Sequence, residues 1–183
     1  MQDNSRAMDG FLASVERRAF RMAQIATKNS EDALDIVQDA MLCLVRRYGN
    51  KPEAEWKPLF YRILVSRIRD WYRRQKIRSR WRTWLHFTRK QEESRSTDPI
   101  ELLPDPAGQN PCEQIIMGQS VAALDAALQT LPQRQLQAFL LRVWEGLSVR
   151  QAAAVMRCSQ GSVKTHYARA LLKLRELLEE YRP

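Results

Sequence analysis

The chain is 183 residues long, enough for one ordinary domain or two small ones, with 30 Lys and Arg against 21 Asp and Glu. Its net charge of +9 favours a polyanionic partner, and its longest apolar run, Ala40–Val45, falls far short of the roughly 20 residues that cross a membrane. Three cysteines (Cys43, Cys112 and Cys158) without a C-x-x-C pair exclude a disulfide framework and a zinc finger; with no signal-peptide pattern at the start, a reducing cytoplasm is the expected compartment.

In chain order, the first predicted element is a helix over Ala7–Ala26, with Met8, Phe11, Leu12, Val15, Ala19, Met22, Ala23 and Ile25 mostly three or four apart. Ser30 is the expected N-cap of a second helix, whose first turn carries Glu31 and Asp32 where acids favour the helix dipole. That helix runs through Ile36, Val37, Ala40, Met41, Leu44 and Val45 until Gly49-Asn50 stops it. After a loop over Gly49–Glu55 comes a third helix, with Leu59, Phe60, Ile63, Leu64 and Ile68 on one side and arginines on the other. Residues 91–117 hold half of the prolines and read as a linker. Beyond it, Ile115–Leu131 is amphipathic and Pro132 breaks it; Gln133–Glu145, Ser148–Met156 and a last helix from Gln160 to about Glu180 follow. Strand-like alternation is absent, so the expected class is all-α, with two compact units joined by a linker.

The charge is segregated. Residues 1–56 are net −1, residues 57–90 net +11, residues 91–117 net −5 and residues 118–183 net +4. In the second block Asp70 is the lone acid among twelve bases, and Trp56, Phe60, Tyr61, Trp71, Tyr72 and Trp81 interleave with the arginines. Guanidinium groups neutralise phosphates and exposed aromatic faces stack on unpaired bases. A merely solvated face mixes signs, so this block reads as a nucleic-acid contact, with Phe60 and Trp71 as the members most readily explained as core.

Near the end of the chain, Ser148 caps a short helix in which Ala152, Ala153 and Met156 permit close packing. Arg157-Cys158-Ser159 makes a turn, and Ser159 caps the next helix. This is helix-turn-helix spacing. Val163, Tyr167, Ala170, Leu171 and Leu174 are expected on the buried stripe of the second helix, which leaves Ser162, Lys164, Thr165, His166 and Arg169 for the major groove. Asp32, Asp35 and Asp39 share a helix face, without the further ligands a metal needs, and read as partner-facing; His86 likewise has no second ligand beside it. No Gly-rich phosphate loop or Ser/His/Asp arrangement is present, so an enzyme is not expected, nor a cofactor or metal.

The chain from Phe11 to Leu178 resembles the bacterial RNA polymerase sigma factors of the extracytoplasmic-function type. Asp32–Met41 (D-A-L-D-I-V-Q-D-A-M) is similar to the family's D-A-E-D-L-V-Q-E-T-F, and Tyr61-Arg62-Ile63, Asp70 and Arg73-Arg74 fall where it writes Y-R-I, D and R-R. Leu147-Ser148 and Cys158–Thr165 (C-S-Q-G-S-V-K-T) are similar to its L-S and C-S-x-G-T-V-K-S. Leu59, Leu64 and Ser66 depart from a usual Trp, Ala and Asn, and His166 from a frequent Arg.

The resemblance implies a region-two domain over 7–90, an acidic linker over 91–117 that threads through the polymerase, and a region-four domain over 118–183. It implies that Asp35–Arg47 docks on the clamp helices of the polymerase largest subunit (beta-prime), through Asp35, Ile36, Val37, Gln38, Asp39, Met41 and Leu42. Asn50, Lys51, Trp56, Tyr61, Arg62, Ser66, Arg69, Arg73 and Arg74 would open and hold the minus-ten element. Arg150, Ser159, Gln160, Ser162, Lys164, Thr165, His166 and Arg169 would read the minus-thirty-five element. Implied partners are core polymerase (its beta flap included), promoter DNA and an anti-sigma factor. Ser162–His166 is also similar to the recognition helix of LuxR-type activators, which place a receiver or sensing domain upstream. A basic helical RNA-binding or scaffold protein is the third reading, from a different class.

Overall fold

The structure is a computed structural model that describes residues 2–86 and 111–179, with side chains over 4–77 and 121–179. It is helical, with no strand among the described residues. The N-terminal unit comprises α1 (Gln2–Thr27), α2 (Ser30–Tyr48) and α3 (Glu53–His86). The predicted first helix starts five residues earlier than its apolar pattern, because no breaker separates Gln2 from Ala7. Ser30 is not the cap: the side chain of Asn29, in extended backbone, accepts the amide of Asp32 at 2.9 Å. Asn is as good a cap as Ser, and here it stands one residue nearer the turn.

These helices close over a shared apolar core. Val15, Ala19, Met22 and Ala23 of α1 and Ala33, Ile36, Val37, Ala40 and Leu44 of α2 are buried, as are Phe60, Leu64 and Ile68 of α3. Each large aliphatic side chain so removed from water contributes about 1.5–3 kcal/mol. An aromatic knot ties α1 to α3: Phe11 lies 5.8 Å from Trp56 and 6.1 Å from Phe60, and Phe60 lies 5.2 Å edge-on from Tyr61. Further along α3, the Tyr72 hydroxyl donates to the Ala26 carbonyl at the end of α1.

The C-terminal unit begins with α4 (Pro111–Thr130). Residues 111–117, assigned to the linker from the sequence, are therefore helical; proline at the first helical position, where its missing N–H costs nothing, starts the helix. The rest of that linker, with 87–90, lies outside the described residues. Next come α5 (Gln133–Phe139), which runs on as five residues of π-helix over Leu140–Trp144, α6 (Val149–Met156) and α7 (Gln160–Leu177). Between the π-helical turn and α6 the chain reverses at Gly146, whose φ of +63° suits a residue without a Cβ. There Arg142 donates to the Leu147 carbonyl.

The cap expected at Ser148 is a full capping box: its hydroxyl accepts the Gln151 amide at 3.2 Å and the Gln151 side chain accepts the Ser148 amide at 2.8 Å. Ser148→Ala is expected to cost about 1 kcal/mol, read as a midpoint lowered by a few degrees in thermal unfolding. The turn into α7 is left-handed at Arg157, φ 52°, and the Arg134 guanidinium donates to the Met156 carbonyl at 2.8 Å to complete the end of α6.

The two units touch. Their buried side chains form one continuous cluster, and two ion pairs cross the seam: Arg21 of α1 with Asp125 of α4, and Lys57 of α3 with Glu145 beyond the π-helical turn.

Candidate functional site

Three surfaces collect the residues singled out from the sequence. The first is the outer face of α2. Its buried stripe fixes the helix, so Asp35, Gln38, Asp39 and Leu42 point outward, with Met41 half-buried at the edge. Leu34, Leu42 and Val45 are 47%, 52% and 45% exposed, an apolar strip that a solvated helix would not keep. Ile36 and Val37, counted with the polymerase-facing residues from the sequence, are instead 5% and 2% exposed. Their side chains anchor α2 to the core, and Ile36 also reaches the floor of the groove between α2 and α3. A groove of about 320 Å³ runs between α2 and α3, lined by Asp32, Asp35, Asp39 and Leu42 on one wall and Trp71 and Arg74 on the other.

The second surface is α3. Arg62, Ser66, Arg69 and Arg73 follow one another at spacings of four, three and four, so they share a face. Arg62 and Arg73 are exposed and Ser66 and Arg69 half-buried, with the Arg69 guanidinium donating to the Ser66 hydroxyl at 3.3 Å. Arg74 turns from that row toward the groove. Asn50 and Lys51 lie exposed in the short loop before α3; Lys51 sits 3.8 Å from Glu55, a solvated pair that adds little. The side chains of Arg78, Arg80, Trp81 and Arg82 lie outside the described residues.

Trp56 and Tyr61 differ from the expectation of exposed stacking faces: both are 0% exposed. Each faces the bundle because it continues the apolar stripe of α3 with Phe60 and Leu64, so the helical period outweighs the aromatic–arginine pattern. The buried Trp56 indole N–H has no hydrogen-bond partner, and neither has the Tyr61 hydroxyl. Burial, and then the neighbouring Glu145 carboxylate, push the Tyr61 phenol well above its ordinary pKa. The carboxylate is near enough to act through its charge, yet it forms no hydrogen bond of regular geometry with the phenol.

The third surface is the helix-turn-helix. Ala152, Ala153, Val155 and Met156 of α6 are buried, as are Val163, Ala170 and Leu174 of α7, while Tyr167 and Leu171 are half-buried beside them. The Ser159 hydroxyl accepts the Ser162 amide at 3.0 Å, the cap read from the sequence. Outward along α7 stand Gln160, Lys164, Thr165 and Arg169, with Arg150 exposed on α6. Thr165 spends its proton on the Gly161 carbonyl at 3.0 Å, which leaves its oxygen lone pairs facing out. Ser162 and His166 are half-buried, less available than the spacing suggested. Cys158 is half-buried in the turn, as a small space-filler is. What the sequence did not reveal is the seam: Arg21, Lys57, Asp125 and Glu145 belong to no motif, and their pairing exists only in three dimensions.

Comparison with known proteins gives the family. The family model for Sigma-70 region 2 matches residues 10–82, and that for Sigma-70 region 4 matches residues 122–174. The RNA polymerase sigma-E factor of Streptomyces avermitilis is 36% identical over 160 residues, which cover 87% of this chain and 78% of that one. The ECF RNA polymerase sigma factor SigM of Mycobacterium tuberculosis is 28% identical, covering 94% and 77% of the two chains. Among solved structures, the Bartonella quintana sigma factor RpoE in complex with the anti-sigma factor NepR covers both chains fully at 22% identity, with a TM-score of 0.66. CnrH in complex with the cytosolic domain of CnrY gives a TM-score of 0.60 at 19% identity over 96% of this chain and 90% of that one. The chain belongs to the RNA polymerase sigma factors of the extracytoplasmic-function type. Sigma factors are initiation factors, not enzymes, and among the described residues no helix is long and apolar enough to cross a membrane.

Proposed function

We propose that this chain binds core RNA polymerase through the outer face of α2, opens the minus-ten element with α3 and the loop before it, and reads the minus-thirty-five element with α7. The working division is 7–90 for the first two tasks, 91–117 for the connection and 118–183 for the third. The observation that carries this reading is the coexistence, in one chain, of three surfaces of different chemistry. Leu34, Asp35, Asp39, Leu42 and Val45 make an acidic and apolar face suited to a protein. Arg62, Arg69 and Arg73 make a face of one sign suited to phosphate, and Lys164, Thr165 and Arg169 stand on a capped helix shaped for the major groove. An acidic protein-binding helix has no purpose in a simple DNA-binding protein, but a subunit of a larger enzyme requires one.

In this reading the cytoplasm, where the polymerase works, is the compartment, and an anti-sigma factor is the further partner, as NepR is for RpoE in the Bartonella quintana complex. The LuxR-type reading is not favoured, because residues 10–82 match sigma region 2 and the described part of 1–86 is helical throughout. Run-off transcription tests the proposal. Core polymerase plus the purified chain is expected to yield transcripts from discrete start sites on genomic fragments, where core alone yields none. Nucleic-acid binding without start-site selection would point to the RNA-binding scaffold instead.

A further inference from the structure

A recess between α1 and the start of α3 belongs to none of the three surfaces. It measures about 520 Å³, within the roughly 300–1,000 Å³ range of small-ligand sites. Phe11 and Val15 of α1 and Ala54 of α3 form its apolar bed, and Arg18, Glu53 and Lys57 carry its charge. At about 100° per residue, Glu53 and Lys57 lie roughly half a turn round α3 from the row of Arg62, Ser66, Arg69 and Arg73. A nucleic-acid strand that follows that row does not reach the recess. Nor does α2, with its polymerase-facing residues, contribute to the lining.

The cations here are not equally engaged. Lys57 donates to the Glu145 backbone carbonyl at 2.8 Å, so its ammonium is committed and its carbon stem serves as a wall. Arg21, the next arginine along α1, is bonded to Asp125. Arg18 enters no ion pair among the described residues. Its guanidinium makes one long contact, 3.5 Å to the Ser14 carbonyl, an oxygen the helix already uses. Glu53 and Ala54 begin α3, and the amides of that first turn have no acceptor inside the helix. Behind Phe11 the shortage of acceptors continues. The Trp56 ring lies 5.8 Å from that of Phe11, and its indole N–H is unpaired. The Tyr61 hydroxyl, on which Arg18 acts through its charge, is unpaired too. Unused donors thus gather around one apolar bed, with Glu53 as the lone acid on its lining.

We propose that this recess is a binding site for a free aromatic anion of nucleotide size, with its flat ring on Phe11, Val15 and Ala54 and its phosphate on Arg18. Guanidinium and phosphate form charge-assisted hydrogen bonds, and the positive end of α3 beside them favours the same sign of ligand. Glu53 is left to accept from a hydroxyl or amino group. Each part of such a molecule meets something the recess lacks. Phosphate alone leaves the apolar bed wet, and a neutral ring alone leaves Arg18 without a counter-charge. The site goes beyond the function proposed above and does not depend on it.

Adenosine monophosphate is the probe, titrated into the full-length chain carrying isotope-labelled tryptophan. The readout is the indole N–H resonance of Trp56, assigned by its loss in Trp56→Phe, because that ring lies against Phe11. The resonance is expected to shift along a saturable curve with a Kd below about 1 mM, while adenosine and inorganic phosphate each bind at least about tenfold more weakly. Arg18→Gln is expected to weaken the nucleotide at least about tenfold. Arg17→Gln removes the same charge from an exposed neighbour outside the lining and is expected to leave the affinity near native. Arg18 is exposed, so the thermal midpoint should hold; if it falls, Ala54→Leu, which fills the mouth at another exposed position, is expected to give the same loss. No saturable shift at Trp56, adenosine or phosphate binding as tightly as the nucleotide, or equal affinity in the two arginine variants would overturn the site. With no polymerase or promoter present, the result stands apart from run-off transcription, and failure of either leaves the other untouched.

Discussion

Reversing Asp35 and Asp39 to arginine is expected to weaken core polymerase binding by about a hundredfold, equivalent to about 2.7 kcal/mol. Both carboxylates are exposed, and among the described residues neither enters an ion pair within the protein. Their charge is thus available to a partner. On a docking surface that complements these carboxylates, two reversed charges replace attraction by repulsion, for which several kcal/mol is the usual scale. The fold has little stake in them: the stripe Ala33, Ile36, Val37, Ala40 and Leu44 holds α2, and both positions lie off it. Loss of acids from the first half of the helix forfeits only a few tenths of a kcal/mol of dipole interaction. Circular dichroism and the thermal midpoint are therefore expected to stay near native while polymerase affinity, measured by surface plasmon resonance, collapses. Unchanged affinity would remove the outer face of α2 from the interface. A parallel drop in midpoint would instead mark a folding defect, and Leu42→Ala, which trims only exposed apolar surface, then separates the two.

Much of this molecule is legible in its sequence because helices announce themselves twice, by period and by caps. The period of α2 named its buried stripe, and Ser148 and Ser159 marked the starts of α6 and α7 with hydroxyls that do accept the amides expected of them. The same two signals mislead where they conflict or stop short. Trp56 and Tyr61 stand in a stretch whose composition says nucleic acid but whose spacing says core, and spacing prevailed because burial of a large ring outweighs a stacking partner that is not yet there. Ile36 and Val37 lie inside a motif that resemblance assigns to partner binding, although their own period sends them inward. A motif marks a segment; only the helical wheel says which of its residues a partner touches. The seam was not legible, since Lys57 and Glu145 lie 88 positions apart and no local pattern links them.

On α3 the second large effect concerns salt. Arg73 is exposed and its partner Asp70, half-buried, lies 3.9 Å away, a long and solvated pair that contributes little and yields readily to phosphate. With Arg62 and Arg69 it forms a row whose charge is of one sign, the arrangement that tracks a nucleic-acid backbone. Replacing Arg73 with Ala in the holoenzyme is expected to weaken promoter binding regardless of base sequence. The slope of log K against log salt should fall by about 0.7–0.9, the release of one condensed counterion from single- or double-stranded DNA. Fluorescence anisotropy across a KCl series measures it. Arg74 leaves the row for the groove beside Asp35 and Asp39, which poses a sharper question. If it contacts phosphate, Arg73→Ala with Arg74→Ala lowers the slope by about 1.4–1.8, the sum of two contacts. If it serves the α2 face, the double variant keeps the single-variant slope and loses polymerase affinity instead. The geometry favours the second outcome: Arg74 leaves the row of Arg62, Arg69 and Arg73 and lines the groove with Asp32, Asp35 and Asp39 of α2. A slope unchanged by Arg73→Ala alone would take the whole row out of phosphate contact.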